Sequence, residues 1–159
     1  MKRIALFLLT VIAAAAPLAA EPFNPVEFFR GRSHGQGVLK IIFQSSKTIN
    51  VDSFGTSEKD GSLVLKQIIH EPGTDPRTRY WKLRQDGPNR FSGTLTDAAG
   101  PVRVDVHGEQ VRIRYTGQNH LNFDQLLTPA GPREVHNSMR VKRFGITVAH
   151  YEETIRKLD

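Results

Sequence analysis

Strict alternation of apolar and polar residues, in short runs separated by turns, is the feature that most constrains the fold. The run VRVDV places Val102, Val104 and Val106 on one side and Arg103 and Asp105 on the other. The next run, VRIRY, repeats this pattern, and its apolar members are Val111, Ile113 and Tyr115. Successive side chains of a β-strand point to opposite faces, so a repeat of two is typical of strands. The sequence therefore predicts a protein built mainly from β-structure.

Turn residues separate these runs at regular intervals. Examples are Asp60-Gly61, Asp86-Gly87-Pro88 and Pro129-Ala130-Gly131-Pro132. A spacing of about 8–12 residues between turns is typical of all-β sandwiches and barrels. We expect about eight to ten strands, and because no crossover helix separates them, the strands should be antiparallel. Closure into a barrel removes exposed sheet edges, so a barrel is favoured and a flat sandwich is the alternative.

The end of the chain allows two interpretations. The segment EETIRKL contains good helix formers, which would suit a helix beginning at Thr147. Ile146, Thr147 and Val148 are β-branched and favour a strand instead. We predict a strand through Tyr151.

The first twenty residues have the pattern of a secretory signal. Met1-Lys2-Arg3 is a basic start, and Ile4 to Ala16 is an apolar, alanine-rich run followed by small residues. A transmembrane helix needs about 20 apolar residues, which is longer than this run. We therefore predict a signal peptide over residues 1–20, cleaved near Ala20, and a single domain over residues 21–159 in the periplasm.

Composition excludes several kinds of chemistry. The chain has no cysteine, so disulfides, cysteine-ligated zinc, a cysteine nucleophile and a lipidated cysteine are all excluded. Without Lys2 and Arg3, 20 basic residues stand against 16 acidic ones, a net charge of +4. This modest charge predicts no nucleic-acid partner, although peripheral contact with an anionic membrane stays open. The sequence does not indicate the oligomeric state. We predict no cofactor.

Five motifs in a fixed order resemble a known family. They are NPVEFFRGRSHGQG, VDSFGTSEKDGSLVLKQ, RYWKL, LTDAAGPV and HNSMRVKRFGITV. This order is similar to that of the small bacterial envelope proteins called domain of unknown function 3833. The resemblance covers about residues 28–151 and implies an all-β, single antiparallel lipocalin-like β-barrel with a short N-terminal helical turn and no established activity. The family's usual membrane-anchoring cysteine is absent, and its tryptophan-containing stretch is LNFDQLL in this chain, with Asp124 kept.

The segment FFRGRSHGQG near the start is interpreted as structural. The resemblance implies that PVEFF forms a helical turn, with Phe28 and Phe29 plugging one end of the barrel. Gly31, Gly35 and Gly37 then allow the backbone to bend or to approach a neighbour closely.

Aromatic residues on the predicted strands are the candidates for a ligand site. The candidate ligand-binding residues are Tyr80, Trp81, Phe91, Tyr115, Phe123 and Asn137. Aromatic residues on alternating strands more often belong to an ordinary core, so both interpretations stay open. Asn137 would either satisfy backbone groups or contact a ligand.

Charged residues give weaker signals. Arg103, Arg112 and Arg114 should lie opposite the valines, in solvent, although one or two arginines of the middle strands pointing inward would suit an acidic head group. Glu152-Glu153 is interpreted as part of a solvated face. No histidine pair has ligand spacing and no serine lies in a nucleophile elbow, so we predict neither a metal site nor catalytic residues.

These observations favour an exported binding protein over an enzyme. The leading hypothesis is a barrel that binds or shields a small hydrophobic or amphipathic, lipid-like ligand. The alternatives are an enzyme acting on a lipid-like substrate in the same barrel and a solidly packed structural protein of the envelope. A buried carboxylate or histidine with a perturbed pKa in a pocket would favour the enzyme.

Overall fold

The computed structural model describes residues 22–159, and the predicted signal peptide of residues 1–20 lies outside this part of the chain. The described residues form one short helix and ten strands. In chain order these elements are α1 (Pro25–Phe29), β1 (Gly31–Ile41), β2 (Lys47–Ser57), β3 (Leu63–His70), β4 (Arg77–Gly87), β5 (Arg90–Leu95), β6 (Val102–His107), β7 (Gln110–Thr116), β8 (Asn122–Gly131), β9 (Glu134–Arg143) and β10 (Ile146–Lys157).

The strands form a closed antiparallel barrel. Each strand pairs with the next along the chain, and β1 pairs with β10 to complete the ring. In that closing pair Gly35 lies opposite Ile155 and Ile41 lies opposite Ala149. The predicted all-β barrel with a short N-terminal helical turn is confirmed. The sandwich alternative is wrong, because the first and last strands, β1 and β10, are hydrogen-bonded to each other and leave no open edge.

Alternation along the strands separates the interior from the surface. Val102, Val104 and Val111 are fully buried inside the barrel. On the outer face, Arg114 lies 2.6 Å from Asp105 on the neighbouring strand, and Arg112 lies 2.7 Å from Asp124. The apolar side of each strand therefore fills the barrel, and the arginines form ion pairs at the surface.

The end of the chain is a strand along almost its whole length. β10 extends to Lys157, six residues beyond Tyr151, and pairs with both β1 and β9. The helix considered for this segment does not form, because pairing on two sides stabilises the extended backbone more than local helix propensity does.

Helix α1 closes one end of the barrel. The side chain of Asn24 caps it by accepting from the amide of Val26 at 3.0 Å, and Pro25 occupies the first turn. Phe28 and Phe29 are buried in the core, with their rings 5.0 Å apart in an edge-to-face arrangement. The described residues contain no helix long and apolar enough to cross a membrane.

Candidate functional site: a polar cluster inside the barrel

The barrel interior contains two apolar layers. The larger layer begins at α1 and includes Phe29, Leu63 and Trp81. The smaller layer, at the other end, includes Ile49, Ile69 and Tyr151. Between them, inward-facing positions of five strands carry polar side chains. We call these residues the inner polar cluster: Gln67, Arg79, Gln125, Asn137 and Glu153.

Hydrogen bonds organise one side of the inner polar cluster around Gln67. Its Oε1 accepts from the indole Nε1 of Trp81 at 2.7 Å and from Nε of Arg79 at 2.8 Å. The guanidinium of Arg79 also lies 5.3 Å from the centre of the Trp81 ring, in a cation–π contact. These contacts hold a positive charge inside the barrel wall, because the Arg79 side chain is only 18 % exposed.

On the other side, Glu153 is a buried carboxyl group. Nδ2 of Asn137 donates to its Oε2 at 3.0 Å. Burial raises the pKa of Glu153, and this effect outweighs the opposing influences of the Asn137 hydrogen bond and the Arg79 charge. Among the described residues, no nitrogen of Arg79 lies within 4.0 Å of a Glu153 oxygen. The barrel thus holds a cation and a carboxyl group that are near each other but not paired with each other, and Arg79 instead lies 3.9 Å from Asp97.

The position of Glu153 corrects the prediction that Glu152-Glu153 forms a solvated face. Glu152 does lie outside, where its Oε1 accepts from Oγ of Ser138 at 2.6 Å. Glu153 faces inward because alternation in AHYEETIRK places it in line with Ala149, Tyr151 and Ile155. That alternation was present in the sequence and is the signal that could have found Glu153 and Tyr151.

Two glycines of the FFRGRSHGQG segment make room for this carboxyl group and its neighbour. A Cβ atom on Gly35 would lie 2.0 Å from Oε1 of Glu153. A Cβ atom on Gly37 would lie 2.6 Å from the ring of Tyr151. Both distances are shorter than any real contact, so β1 carries glycine where β10 places Glu153 and Tyr151. The predicted close approach of backbone to a neighbour is observed.

Several polar atoms near the inner polar cluster lack a partner. Within residues 22–159, Oδ1 of Asn137, the hydroxyl of Tyr151 and Oγ of Ser33 are buried and accept or donate no hydrogen bond. The Tyr151 hydroxyl lies close to Glu153, and burial is the main reason that the pKa of Tyr151 is raised. A buried polar group without a partner costs about 1–3 kcal/mol, so such groups point to a bound molecule or ordered water.

A cavity of about 100 Å³ reaches the inner polar cluster from the barrel end opposite α1. Its apolar wall includes Leu39, Ile49 and Met139, and its polar floor includes Asn137 and Glu153. A second cavity, of about 50 Å³, lies on the α1 side of the same cluster. The larger concavity beside α1, about 710 Å³, is a surface groove lined by Phe23, Pro88 and Pro132 among others, away from the cluster.

The structure brings some of the predicted ligand-binding residues together. Tyr115 packs edge-to-face on Trp81 with ring centres 5.8 Å apart, and it stacks on Phe123 at 4.6 Å. Asn137 belongs to the inner polar cluster. Phe91 is buried near α1, and Tyr80 lies half exposed on the outer face. Of the six predicted residues, Asn137 lines the open cavity and Trp81 lines the smaller one.

Two histidines meet a shared carboxylate on the outer face of the barrel. Nδ1 of His34 lies 2.8 Å from Oδ1 of Asp52, and Nε2 of His70 lies 3.1 Å from Oδ2 of the same residue. The His34 hydrogen bond is the largest contribution to the lowered pKa of Asp52. These rings bond the carboxylate directly, and the side chains are about two-fifths exposed. The arrangement stabilises the pairing of β1, β2 and β3.

Solved structures with a similar fold share little sequence with this chain. An S-type phycobiliprotein lyase from Guillardia theta superimposes with a TM-score of 0.69 at 9 % identity, covering 84 % of this chain and 90 % of the lyase. A protein of unknown function from the DUF3598 family of Nostoc punctiforme PCC 73102 gives a TM-score of 0.64 at 14 % identity. That match covers 91 % of this chain and 53 % of the other, so this chain spans about half its length. At these identities the similarity concerns the fold.

Sequence comparison identifies the family but no characterised relative. No curated protein matches the chain. The family described as protein of unknown function, DUF3833, matches residues 13–157, nearly the whole length. The resemblance deduced from the five motifs is thereby confirmed, and the chain belongs to the DUF3833 family.

Proposed function

We propose that this protein binds a small amphipathic molecule at the open end of its barrel. The polar head of the ligand enters the cavity and contacts the inner polar cluster. Its apolar part lies against the smaller apolar layer, which includes Leu39, Ile49, Ile69 and Met139.

One observation carries this proposal: buried polar atoms without partners face a cavity that opens to solvent. Oδ1 of Asn137 accepts hydrogen bonds, and the hydroxyl of Tyr151 both donates and accepts them. A head group with hydroxyl or amine hydrogens satisfies Asn137 and Glu153, and its oxygen accepts from Tyr151. Ligand sites typically combine apolar walls with a few convergent polar groups of this kind.

The size of the cavity limits what enters it. Sites for drug-sized ligands have volumes of about 300–1,000 Å³, whereas the open cavity has about 100 Å³. That volume admits a head group of a few non-hydrogen atoms. The tail of a lipid-like ligand therefore lies in the mouth of the barrel, between β1, β2 and β9, and not along its axis.

The cellular setting is part of the proposal. The basic start and apolar run of residues 1–20 support export to the periplasm, where amphipathic molecules move between or beside membranes. A barrel that covers the polar head and part of the tail would shield such a molecule from water. The chemistry of the inner polar cluster specifies a head group with hydrogen-bond donors and not a particular lipid.

Native mass spectrometry of protein purified from its own cells tests this proposal. We expect a bound small molecule that is lost in Asn137→Leu, which removes the free acceptor while keeping a similar volume. Ser138→Ala is the matched control, because Ser138 neighbours Asn137 in sequence but bonds Glu152 outside the barrel. Parent protein without any adduct, or an adduct retained equally in Asn137→Leu, would show that ordered water alone satisfies the cluster and that the barrel is a packed structural protein.

The raised pKa of Glu153 favours a second candidate, acid–base catalysis on the bound molecule. A buried carboxyl group that is protonated more readily than usual can donate a proton to a substrate and take one back. Tyr151, beside it, would position the reacting oxygen. Under this candidate, Glu153→Gln abolishes conversion of the co-purified molecule even in the fraction of protein that still binds it, whereas a pure binding protein shows no conversion in either form.

A further inference from the structure

Four large apolar side chains lie exposed at the open end of the barrel. Phe43, between β1 and β2, is exposed over 102 % of its reference area, and Phe144, between β9 and β10, over 85 %. Ile42 directly precedes Phe43, Ile146 lies two residues after Phe144, and these side chains are 49 % and 67 % exposed. We call these four residues the rim patch. Single exposed apolar residues are common, but four of them at two turns are not explained by core packing.

The two turns of the rim patch adjoin each other. β1 pairs with β10, so the β1–β2 turn and the β9–β10 turn lie side by side on the ring. The amide of Ile42 donates to the carbonyl of Val148 at 3.0 Å, which ties one turn to the other. The rim patch is therefore one continuous feature of the surface.

Both phenylalanines occupy backbone conformations that disfavour them. Phe43 has φ 60° and Phe144 has φ 49°, in the left-handed region that favours glycine and asparagine. Phe144 and Gly145, at φ 80°, form the two-residue turn between β9 and β10. Turns with two positive φ angles favour Asn-Gly. Because neither the backbone nor the water around it favours phenylalanine at this position, the folded chain alone does not account for Phe144.

Positive charge predominates in the two hairpins that carry the rim patch. Residues 38–51 and 139–151 contain no aspartate or glutamate, and their basic residues are Lys40, Lys47, Arg140, Lys142 and Arg143. Lys47 pairs with Glu71 and Arg140 lies near Asp124. In the part of the chain that the structure describes, Lys40, Lys142 and Arg143 have no carboxylate within 4.0 Å. The guanidinium of Arg143 lies 5.4 Å from the centre of the Phe144 ring.

We propose that the open end of the barrel docks on an anionic lipid surface. The rim patch enters the boundary between head groups and acyl chains, while Lys40, Lys142 and Arg143 contact the head groups. A bilayer suits the rim patch because projecting apolar tips need no complementary shape in a fluid surface. Docking in this orientation points the mouth of the cavity at the membrane, so an amphipathic ligand would enter directly. That last step rests on the proposed function, whereas the docking does not.

A fluorescent probe at the rim tests the docking. The chain contains no cysteine, so Ile146→Cys gives a single site for an environment-sensitive nitrobenzoxadiazole label in the full chain. Leu158→Cys, at the α1 end where residues 1–21 join the barrel, is the control site. With vesicles of phosphatidylcholine and phosphatidylglycerol, we expect blue-shifted, brighter emission from the rim label and quenching by brominated acyl chains. The label at Leu158→Cys should not respond, and phosphatidylcholine alone should bind less well.

Substitution of the two exposed phenylalanines of the rim patch is the second test of the docking. Phe43→Asn with Phe144→Asn suits both positive φ angles, so the thermal stability should be kept or raised. The lipid concentration for half-maximal response should rise about tenfold or more, because two aromatic side chains no longer enter the bilayer. Phe54→Asn, on the outer wall and 41 % exposed, is the matched control and should bind like the parent. The double variant Lys142→Gln and Arg143→Gln should weaken binding to the anionic vesicles and leave binding to phosphatidylcholine vesicles unchanged.

Three results would overturn the docking proposal. The first is a rim label that stays in a water-like environment with both kinds of vesicle. The second is an equal response from the two label sites, which would assign the contact to the α1 end or to residues 1–21. The third is a rim response that depends on protein concentration without vesicles, which would assign the rim patch to a second copy of the chain. If the protein carries no ligand adduct but still docks on vesicles, the proposed function is rejected and the docking proposal stands.

Discussion

Glu153 shows how the environment of one residue changes its chemistry. Its neighbour in sequence, Glu152, has the same side chain but lies in solvent, where it accepts a hydrogen bond from Ser138. Glu153 points inward and lies against Gly35, with Asn137 as its hydrogen-bond donor. Removal from water disfavours the charged form, and the nearby Arg79 compensates only in part.

The raised pKa of Glu153 predicts a specific dependence of stability on pH. The folded state holds the proton of Glu153 more tightly than the unfolded state, so protonation of Glu153 stabilises the folded protein. This stabilisation is complete below the pKa of an unfolded glutamate, about 4.3. It is lost as the pH rises through the folded pKa. Glu153→Gln should remove this loss, so the variant should be at least as stable as the parent at neutral pH and its free energy of unfolding should change less with pH. Urea unfolding at several pH values measures both.

Glu152→Gln is the matched control for that measurement. Its side chain remains in solvent in both states, so the pH profile of the free energy of unfolding should follow that of the parent. If Glu153→Gln also follows the parent at every pH, the carboxyl group of Glu153 is not desolvated, and its proposed role in binding a head group loses its basis.

At the scale of elements, α1 is a plug held by contacts with β2, β3 and β10. The carbonyl of Phe29 lies so close to Gly55 that a Cβ on Gly55 would be 1.7 Å away. The ammonium of Lys157, at the end of β10, donates to the carbonyls of Phe28 and Arg30. The helix has only five residues, too few to be stable alone, so tertiary contacts maintain it.

Truncation of the plug should destabilise the protein strongly. Phe28 and Phe29 are 7 % and 9 % exposed, and removing a buried phenylalanine side chain typically costs about 3–5 kcal/mol. We expect Phe28→Ala and Phe29→Ala, made separately, to lower the melting temperature by many degrees in at least one case. Phe43→Ala is the exposed control and should change the free energy of unfolding by less than about 0.5 kcal/mol. If both plug variants melt like the parent while binding of an apolar fluorescent probe collapses, the FFRGRSHGQG segment is a ligand gate.

At the scale of the whole molecule, the two barrel ends differ. One is closed by α1 and packed with aromatic residues, and the other carries the cavity, the rim patch and unpaired basic residues. The proposed ligand site and the proposed docking surface therefore lie at the same end of the barrel.

Export is the prediction that concerns the whole chain. If residues 1–20 are a cleaved signal, the protein recovered by osmotic shock should begin near Glu21, since the small residues Ala19 and Ala20 suit the peptidase. Intact mass measurement of that fraction checks the start of the chain. Recovery of the uncleaved chain in the membrane pellet, resistant to a salt wash, would contradict export as a processed protein.

Local sequence determined the strands, the turns and the separation of the barrel surface from its interior. Alternation in VRVDV and VRIRY is sufficient to place valines inside and arginines outside, because side-chain direction in a strand follows from backbone geometry alone. The closed barrel was also predictable, since antiparallel strands of this number lose their exposed edges by closure.

Only the tertiary structure decided the site. Asn137 and Glu153 lie opposite each other on the neighbouring strands β9 and β10, whereas Arg79 comes from β4, far away in sequence. Its approach to Glu153 depends on register and on the closing pair of β1 and β10. A shift of one residue in that pair would turn Glu153 to solvent and Glu152 inward. Likewise, Phe43 and Phe144 became neighbours only when the ring closed. Burial and proximity are properties of packed strands, so a single strand's sequence determines which residues share a face but not what they meet there.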